Sequence, residues 1–238
     1  MIPTPDISDL TKDDFLHVYE PAEDTFLLLD GLEEDAQSLR DLKPRICLEI
    51  GSGSGCVSSF IGTILGPSEA RPSYPSQRLC TPNLIPRCPS SVYLCTDINP
   101  HAARCTASTG QQNKIPLNPI LASLAGPLSK RLLHSVDVLL FNPPYVPTYS
   151  EEADAAQEGA GIAGSWAGGA DGMRVTERLL EQIGDLLSPT GRFYLVAVKQ
   201  NDIPGIQRRM SEKYGLQSQI VIQRRAGREH LFVVRFSR

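Results

Sequence analysis

Ile46-Cys47-Leu48-Glu49-Ile50-Gly51-Ser52-Gly53-Ser54-Gly55-Cys56 is an apolar run interrupted by one acid, then three glycines at alternate positions. Val57–Leu65, which follows, reads as a helix. The segment is therefore strand, tight turn, helix. Glycine adopts positive φ cheaply and lets backbone approach a ligand closely, and the helix start beyond it offers unpaired N–H groups. In the dinucleotide fingerprint the spacing is G-x-G-x-x-G, opposite a pyrophosphate. Here the spacing is G-x-G-x-G, and Glu49 stands two residues before Gly51. An acid there repels a pyrophosphate and suits a ligand with an ammonium group and no phosphates. By itself a glycine-rich turn is weak evidence.

Reading outward, Val92–Thr96 is a second strand that stops on Asp97. An acid at that tip can accept hydrogen bonds from both hydroxyls of a ribose. It also reads as an ordinary acid before a helix over 100–112, with Asn99 as N-cap and Pro100 in the first helical position. Leu117–Leu121 is a short third strand. Val136–Phe141 is a fourth, and it runs into Asn142-Pro143-Pro144-Tyr145. Proline fixes φ, lacks an N–H and pushes its predecessor into extended geometry, so carbonyls in this loop have little freedom to relax. The Asn142 side-chain oxygen and the Pro143 carbonyl can together accept both hydrogens of a planar –NH2. The ring of Tyr145 can stack on the group that carries it. The bland alternative is a proline-rich loop after a strand.

The rest of the chain fits one domain over 1–238. Residues 1–14 read as loose and polar. Pro21 and Glu23 suit a helix start, with Leu28, Leu29 and Leu32 as an apolar face that Leu39 extends. Residues 66–90, rich in proline and serine, read as a surface insertion, because the strand pattern resumes at Val92. Residues 150–172 are acidic, then rich in glycine and alanine, and read as a mobile flap. A helix over 173–187, a strand over 191–198, a helix over 203–213 and a hairpin of 219–223 with 230–236 complete the pattern. Alternating strands and helices with a terminal hairpin mean an α/β fold with a mainly parallel sheet and one antiparallel edge. Gly51, Asp97 and Asn142 all fall at strand carboxyl ends, where such sheets bind ligands.

Composition is ordinary, at 41% hydrophobic and 21% charged, and the net charge of −4 argues against non-specific nucleic-acid binding. No apolar run is long enough to cross a membrane. Asp6, Asp9, Asp13 and Asp14 stand where a targeting peptide would be basic or apolar. The expectation is a cytoplasmic protein, with the nucleus as a second location. A basic strip of Arg208, Arg209, Arg224, Arg225 and Arg228 reads first as a solvated face. Six cysteines and four histidines show no zinc-ligand spacing, so no metal site is expected. Cys47 and Cys95 read as buried thiols. A Cys80–Cys88 disulfide is disfavoured in a reducing compartment.

Taken together these segments resemble a class I S-adenosylmethionine-dependent methyltransferase. More narrowly, Tyr19-Glu20-Pro21-Ala22-Glu23-Asp24-Thr25, Leu48 to Gly55, Cys95-Thr96-Asp97-Ile98-Asn99-Pro100 and Phe141 to Val146 resemble the eukaryotic HemK-like glutamine methyltransferase family. Trp166-Ala167-Gly168-Gly169 and Leu187-Ser188-Pro189 extend the likeness over nearly the whole chain, except 66–90 and parts of 150–165. The resemblance implies a single Rossmann-like domain with a seven-stranded sheet and an antiparallel C-terminal strand. It implies N5-methylation of the glutamine in the Gly-Gly-Gln loop of the eukaryotic translation termination factor, by direct in-line transfer to an amide nitrogen held by Asn142 and the Pro143 carbonyl. A small zinc-binding activator is the implied heterodimer partner. Tyr19, Thr25, Glu49, Gly51, Gly53, Gly55, Asp97 and Asn142 would form the S-adenosylmethionine site, and Asn142, Pro143, Pro144 and Tyr145 the catalytic loop. Where the family has an aspartate near the adenine, this chain has Ser123-Leu124. Serine accepts one hydrogen bond there but carries no charge, and Leu124 can pack on the ring.

Three other readings share parts of this pattern. Adenine N6 methylation of DNA also uses Asn-Pro-Pro-Tyr, with base flipping, but the acidic balance and the lack of a DNA-recognition domain oppose it. Lysine methylation, known for histones among related members, suits a pocket with two acceptors less well. A non-catalytic scaffold that keeps the fold is the third.

Overall fold

A computed structural model describes residues 1–66 and 91–238. Five strands follow the expected order: β1 (Ile46–Ile50), β2 (Val92–Asp97), β3 (Leu117–Leu121), β4 (Val136–Phe141) and β5 (Leu187–Val198), then β6 (Gln217–Ala226) and β7 (Glu229–Ser237). They form one seven-stranded sheet in the order β3-β2-β1-β4-β5-β7-β6. β1 to β5 are parallel, and β7 lies antiparallel between β5 and β6. The antiparallel strand is thus inside the sheet and not at its edge, because the short hairpin places β6 on β7's outer side.

Side chains along each central strand alternate between two apolar layers, as a pleat requires. Leu48, Leu139, Phe141, Phe193 and Leu195 join one core with α6 (Arg174–Leu180), α7 (Ile183–Leu186) and α8 (Ile203–Tyr214). Cys47, Val138, Leu140, Tyr194 and Val196 join the other with α1 (Glu23–Glu34), α2 (Ala36–Leu42) and α3 (Cys56–Leu65). α4 (Pro100–Gln112) covers β2 and β3 and is capped by Asn99, whose side chain accepts from His101 N–H at 2.9 Å. Each buried Leu or Phe contributes roughly 1.5–3 kcal/mol.

The register sets the site. Ile50 pairs with Thr96 on one side and Phe141 on the other, so β1, β2 and β4 end level. Gly51, Asp97 and Asn142 stand side by side at that rim.

Several expectations change. Residues 1–14 are not loose: Asp6 N–H donates to Asn113 at 2.8 Å, Asn113 returns a bond to the Asp6 carbonyl, and Asp9 N–H donates to Gln112 at 3.2 Å, so the segment is strapped along α4. Ile2 and Ile7 pack on the second core. The helix expected over 173–187 is two helices, α6 and α7, with Glu181 and Gln182 between them, and Leu187 already belongs to β5. Strand β5 begins at Leu187, earlier than expected, with an irregular register opposite Val136 and Val138. Residues 67–90, nearly all of the expected insertion, lie outside the described residues, as do Cys80 and Cys88. Cys47, Cys56, Cys95 and Cys105 are buried free thiols. Among the described residues no helix is long and apolar enough to cross a membrane.

Candidate active site

Beyond the ends of β1, β2 and β4 lies a cleft of about 980 Å3, its open mouth included. Of the residues singled out from sequence, Tyr19, Thr25, Glu49, Gly51, Gly53, Asp97, Ser123, Leu124, Asn142 and Pro144 line it. Gly55, Pro143 and Tyr145 do not. Gly55 serves packing: a Cβ there would meet Thr106 Cα at 2.8 Å, so the glycine lets α3 and α4 approach.

One wall is built from backbone. Gly51 and Gly53 have φ of +69° and +50°, and a Cβ on either would project into open space, so the turn is a cradle with exposed main chain. Asp97 braces it, accepting Gly53 N–H and Asn99 N–H, each at 2.9 Å and on different oxygens. Each oxygen keeps a lone pair for a hydroxyl. Burial raises the Asp97 carboxyl above the usual range against those bonds. Glu49 is more buried still, and burial pushes it up to about 8 even though Ser58 Oγ donates to it. A buried acid awaiting a cation fits the ammonium of an amino-acid-bearing ligand. Leu124 sits in the left-handed region at φ +50°, uncommon for a non-glycine residue and a mark of sites where backbone is held for a purpose. Ser123 beside it is exposed. An open glycine cradle, a brace with free acceptors and a buried acid fit S-adenosylmethionine as a group.

The other wall is built from side chains. Asn142 donates from Nδ2 to Asp24 Oδ2 at 3.0 Å, while its Oδ1 is buried without a hydrogen-bond partner among the described residues. Buried polar atoms are rarely left so. The stacking role expected for Tyr145 changes. Its ring is packed in the second core and its hydroxyl donates to Asp24 Oδ2 at 3.3 Å. Burial, followed by the Asp24 and Glu229 charges, raises that hydroxyl, so it remains a donor. Tyr145 faces a neighbouring cleft with Tyr19, Glu23, Asp24, Arg225 and Glu229. Pro143 is buried.

The loop after Tyr145 is clasped by the segment expected as a flap. Val146 N–H donates to the Trp166 carbonyl at 3.0 Å, Gly168 N–H to the Val146 carbonyl at 2.8 Å and Thr148 N–H to the Gly169 carbonyl at 2.9 Å. Ahead of the clasp is a helix, α5 (Ser150–Glu158). Gln157, Ile162 and Ser165 from this region line the cleft mouth, and no local sequence signal marked them. Asp24 was also missed as a site residue, although it lies within the segment Tyr19–Thr25 and an acid in a helix's first turn is a sequence-readable signal.

No protein-family model matches the chain. It is 43% identical to the human protein named Methyltransferase HEMK2 over 224 residues, covering 94% of this chain and 91% of that one. It is 39% identical to the Schizosaccharomyces pombe protein named eRF1 methyltransferase catalytic subunit mtq2 over 246 residues, covering 100% and 96%. Among solved structures, a chain of the E. cuniculi Mtq2–Trm112 complex shares the fold, with TM-score 0.61 and 22% identity over 93% of this chain and 98% of that one.

Proposed function

The chain belongs to the HEMK2/Mtq2 family of S-adenosylmethionine-dependent protein methyltransferases, and on that footing we propose that it methylates N5 of the glutamine in the Gly-Gly-Gln loop of the translation termination factor. The S. pombe relative's name, eRF1 methyltransferase catalytic subunit, supports that substrate. The observation that carries the chemistry is the unpartnered Asn142 Oδ1 in the cleft.

Bound S-adenosylmethionine supplies an electrophilic methyl group. Glu49, Asp97 and the Gly51–Gly53 backbone would hold the ligand, with Tyr19, Thr25, Ser123 and Leu124 around it. An amide nitrogen is a weak nucleophile because its lone pair is delocalised into the carbonyl. Asn142 Oδ1 would accept one N–H of the substrate amide, and the Pro143 carbonyl is proposed for the other. Fixed acceptors orient the nitrogen and face the positive charge that grows on it. Positioning of this kind contributes up to about 7–11 kcal/mol in ideal cases. Backbone hydrogen bonds from 166–169 fasten the loop just after Tyr145.

A small zinc-binding protein is proposed as the partner. The E. cuniculi neighbour was solved with Trm112, and in this chain β3 is a sheet edge, with its Leu121 60% exposed and Val92 of the adjoining β2 45% exposed. The deciding experiment incubates the chain and this partner with labelled cofactor and the termination factor, then maps the label. Label on the Gly-Gly-Gln glutamine is expected. Label on lysine or on any other residue, or no label at all, refutes the reading.

A further inference from the structure

Asp24 takes no part in the mechanism above, yet it lies at the centre of the acceptor wall. Its carboxyl group is buried at 5% exposure in the first turn of α1. Five donors converge on it. Thr25 N–H at 2.8 Å, the Tyr19 hydroxyl at 3.1 Å and the Thr25 hydroxyl at 3.5 Å reach Oδ1. Asn142 Nδ2 at 3.0 Å and the Tyr145 hydroxyl at 3.3 Å reach Oδ2. The Tyr145 hydroxyl also stands 3.5 Å from Glu229 Oε2.

A side-chain amide is ambiguous: turned by 180°, it exchanges donor for acceptor at nearly the same volume. A carboxylate can only accept. Turning the Asn142 amide would set its oxygen against Asp24 Oδ2, acceptor on acceptor, and would aim its NH2 into the cleft. Resting on the glutamine reading, we infer that Asp24 is a positioning residue for the reaction: it holds Asn142 by its NH2 group, so that the oxygen is what the incoming amide meets. The Tyr19 hydroxyl donates to Oδ1 and the Tyr145 hydroxyl shares Oδ2 with Asn142 Nδ2, so Oδ2 already accepts from two donors and offers a turned amide oxygen nothing to accept.

The competing explanation is that Asp24 merely starts α1, as an acid in a first turn does. The two differ in what they predict for a swap of the pair. In Asp24→Asn the new NH2 faces the Asn142 NH2, and the orientation of residue 142 is no longer enforced. In Asn142→Asp two carboxylates oppose each other. The double variant combines Asp24→Asn with Asn142→Asp. There the new amide at position 24 donates to the new carboxylate at position 142, whose second oxygen again faces the cleft as an acceptor.

The test uses the full chain co-purified with its zinc-binding partner, the termination factor and labelled S-adenosylmethionine, with kcat, KM and cofactor Kd measured on each variant. Asp24→Asn is expected to lower kcat about 10- to 100-fold, the scale of losing an orienting partner, while KM for the termination factor and the cofactor Kd stay within about threefold. The double variant is expected to recover at least about tenfold in kcat over Asn142→Asp, a coupling of the size seen for groups in contact. Melting temperatures on the same samples separate folding from orientation. If Asp24→Asn melts earlier but turns over at the wild-type kcat, or the double variant recovers nothing, the positioning role is overturned. Wild-type label on a residue other than glutamine overturns the substrate reading and this inference together, whereas a labelled glutamine with an unimpaired Asp24→Asn overturns the inference alone.

Discussion

The two walls of the cleft are built by opposite means. The wall at Gly51–Gly53 is local. Its cradle, its brace at Asp97 and its buried Glu49 come from two adjacent strands, and the brace is fastened to backbone N–H groups. The wall at Asn142 is assembled from far apart in the chain. Asp24 and Asn142 are separated by 118 residues, and the clasp comes from 166–172. A local wall tolerates change because backbone geometry carries it. An assembled wall depends on each side chain being the right one, and among the described residues it leaves the Asn142 Oδ1 acceptor open.

The sharpest way to break the comparison is to remove that acceptor. Asn142→Ala should lower kcat by roughly 10²–10³-fold or more, the scale of one lost transition-state hydrogen bond, with cofactor affinity reduced only modestly. Single-turnover measurement with saturating cofactor separates the two effects. Wild-type turnover would remove Asn142 from the chemistry.

The clasp can be broken without touching any reacting group. Gly172 has φ +71°, and a Cβ there would overlap the Tyr145 carbonyl oxygen. Gly168 is nearly as tight, its Cβ position falling 2.6 Å from the Pro144 carbonyl oxygen. Gly172→Ala should therefore cost about 1–3 kcal/mol in stability and about tenfold in kcat as the loop shifts, while cofactor Kd is nearly unchanged. Calorimetry beside kinetics would show it. An equal loss of cofactor affinity would mean that the two walls are not independent.

How much of this was readable depends on the same contrast. The strand runs at 46–50, 92–97 and 136–141, the glycine turn and the Asn-Pro-Pro-Tyr loop each announce themselves within a few residues, because pleat alternation and turn chemistry are local. The hub at Asp24 does not. Its partners are fixed only when α1 packs against α3, β6 and β7, and no periodicity encodes that. Tyr145 reads as a stacking platform because it follows the two acceptors in the loop, but its ring packs in the second core and its hydroxyl meets Asp24. Gln157 reaches the cleft from the end of α5 and Ile162 from the short helical segment after it, where alanines and glycines say only that the chain is permissive. Strapping of residues 1–14 onto α4 rests on side-chain amides of Gln112 and Asn113, which look like any helix end in sequence.

The local wall has its own signature in pH. Glu49 rises from 4.5 to about 8 through burial. Between those values the folded chain retains a proton that the unfolded chain has lost, so this group lowers stability as pH rises through the window and has no further effect above about 8. An ammonium beside Glu49 favours the ionised form, so binding must expel the proton. Cofactor affinity should rise with pH from 6 to 7.5, by at most about tenfold per unit, below the range of about 7.7–8.0 where the ligand's own amine titrates. Asp97, also raised by burial, lowers stability in the same sense as pH rises above its ordinary range. Titration calorimetry in buffers of different ionisation enthalpy counts the proton. Affinity flat across that range, or proton release unchanged in Glu49→Gln, would place the ammonium elsewhere.

The smallest effect lies at the rim. Ser123 is exposed at the cleft beside the strained Leu124, and it stands where the family's aspartate is expected to meet the adenine amine. A hydroxyl and a carboxylate both accept from that amine, but a hydrogen bond to a charged group contributes about 1.5–3 kcal/mol against about 0.5–1.5 for a neutral one. Exposure at the rim cuts the difference, and Asp97, at the end of the neighbouring strand, opposes a second negative charge. Ser123→Asp should tighten cofactor binding by only about three- to tenfold, with kcat unchanged, because the adenine lies far from the atoms that react. The gain should shrink with added salt if it is electrostatic. Weaker binding would mean that Asp97 dominates, and that this chain carries serine there because its local wall already holds as much negative charge as the cleft accepts.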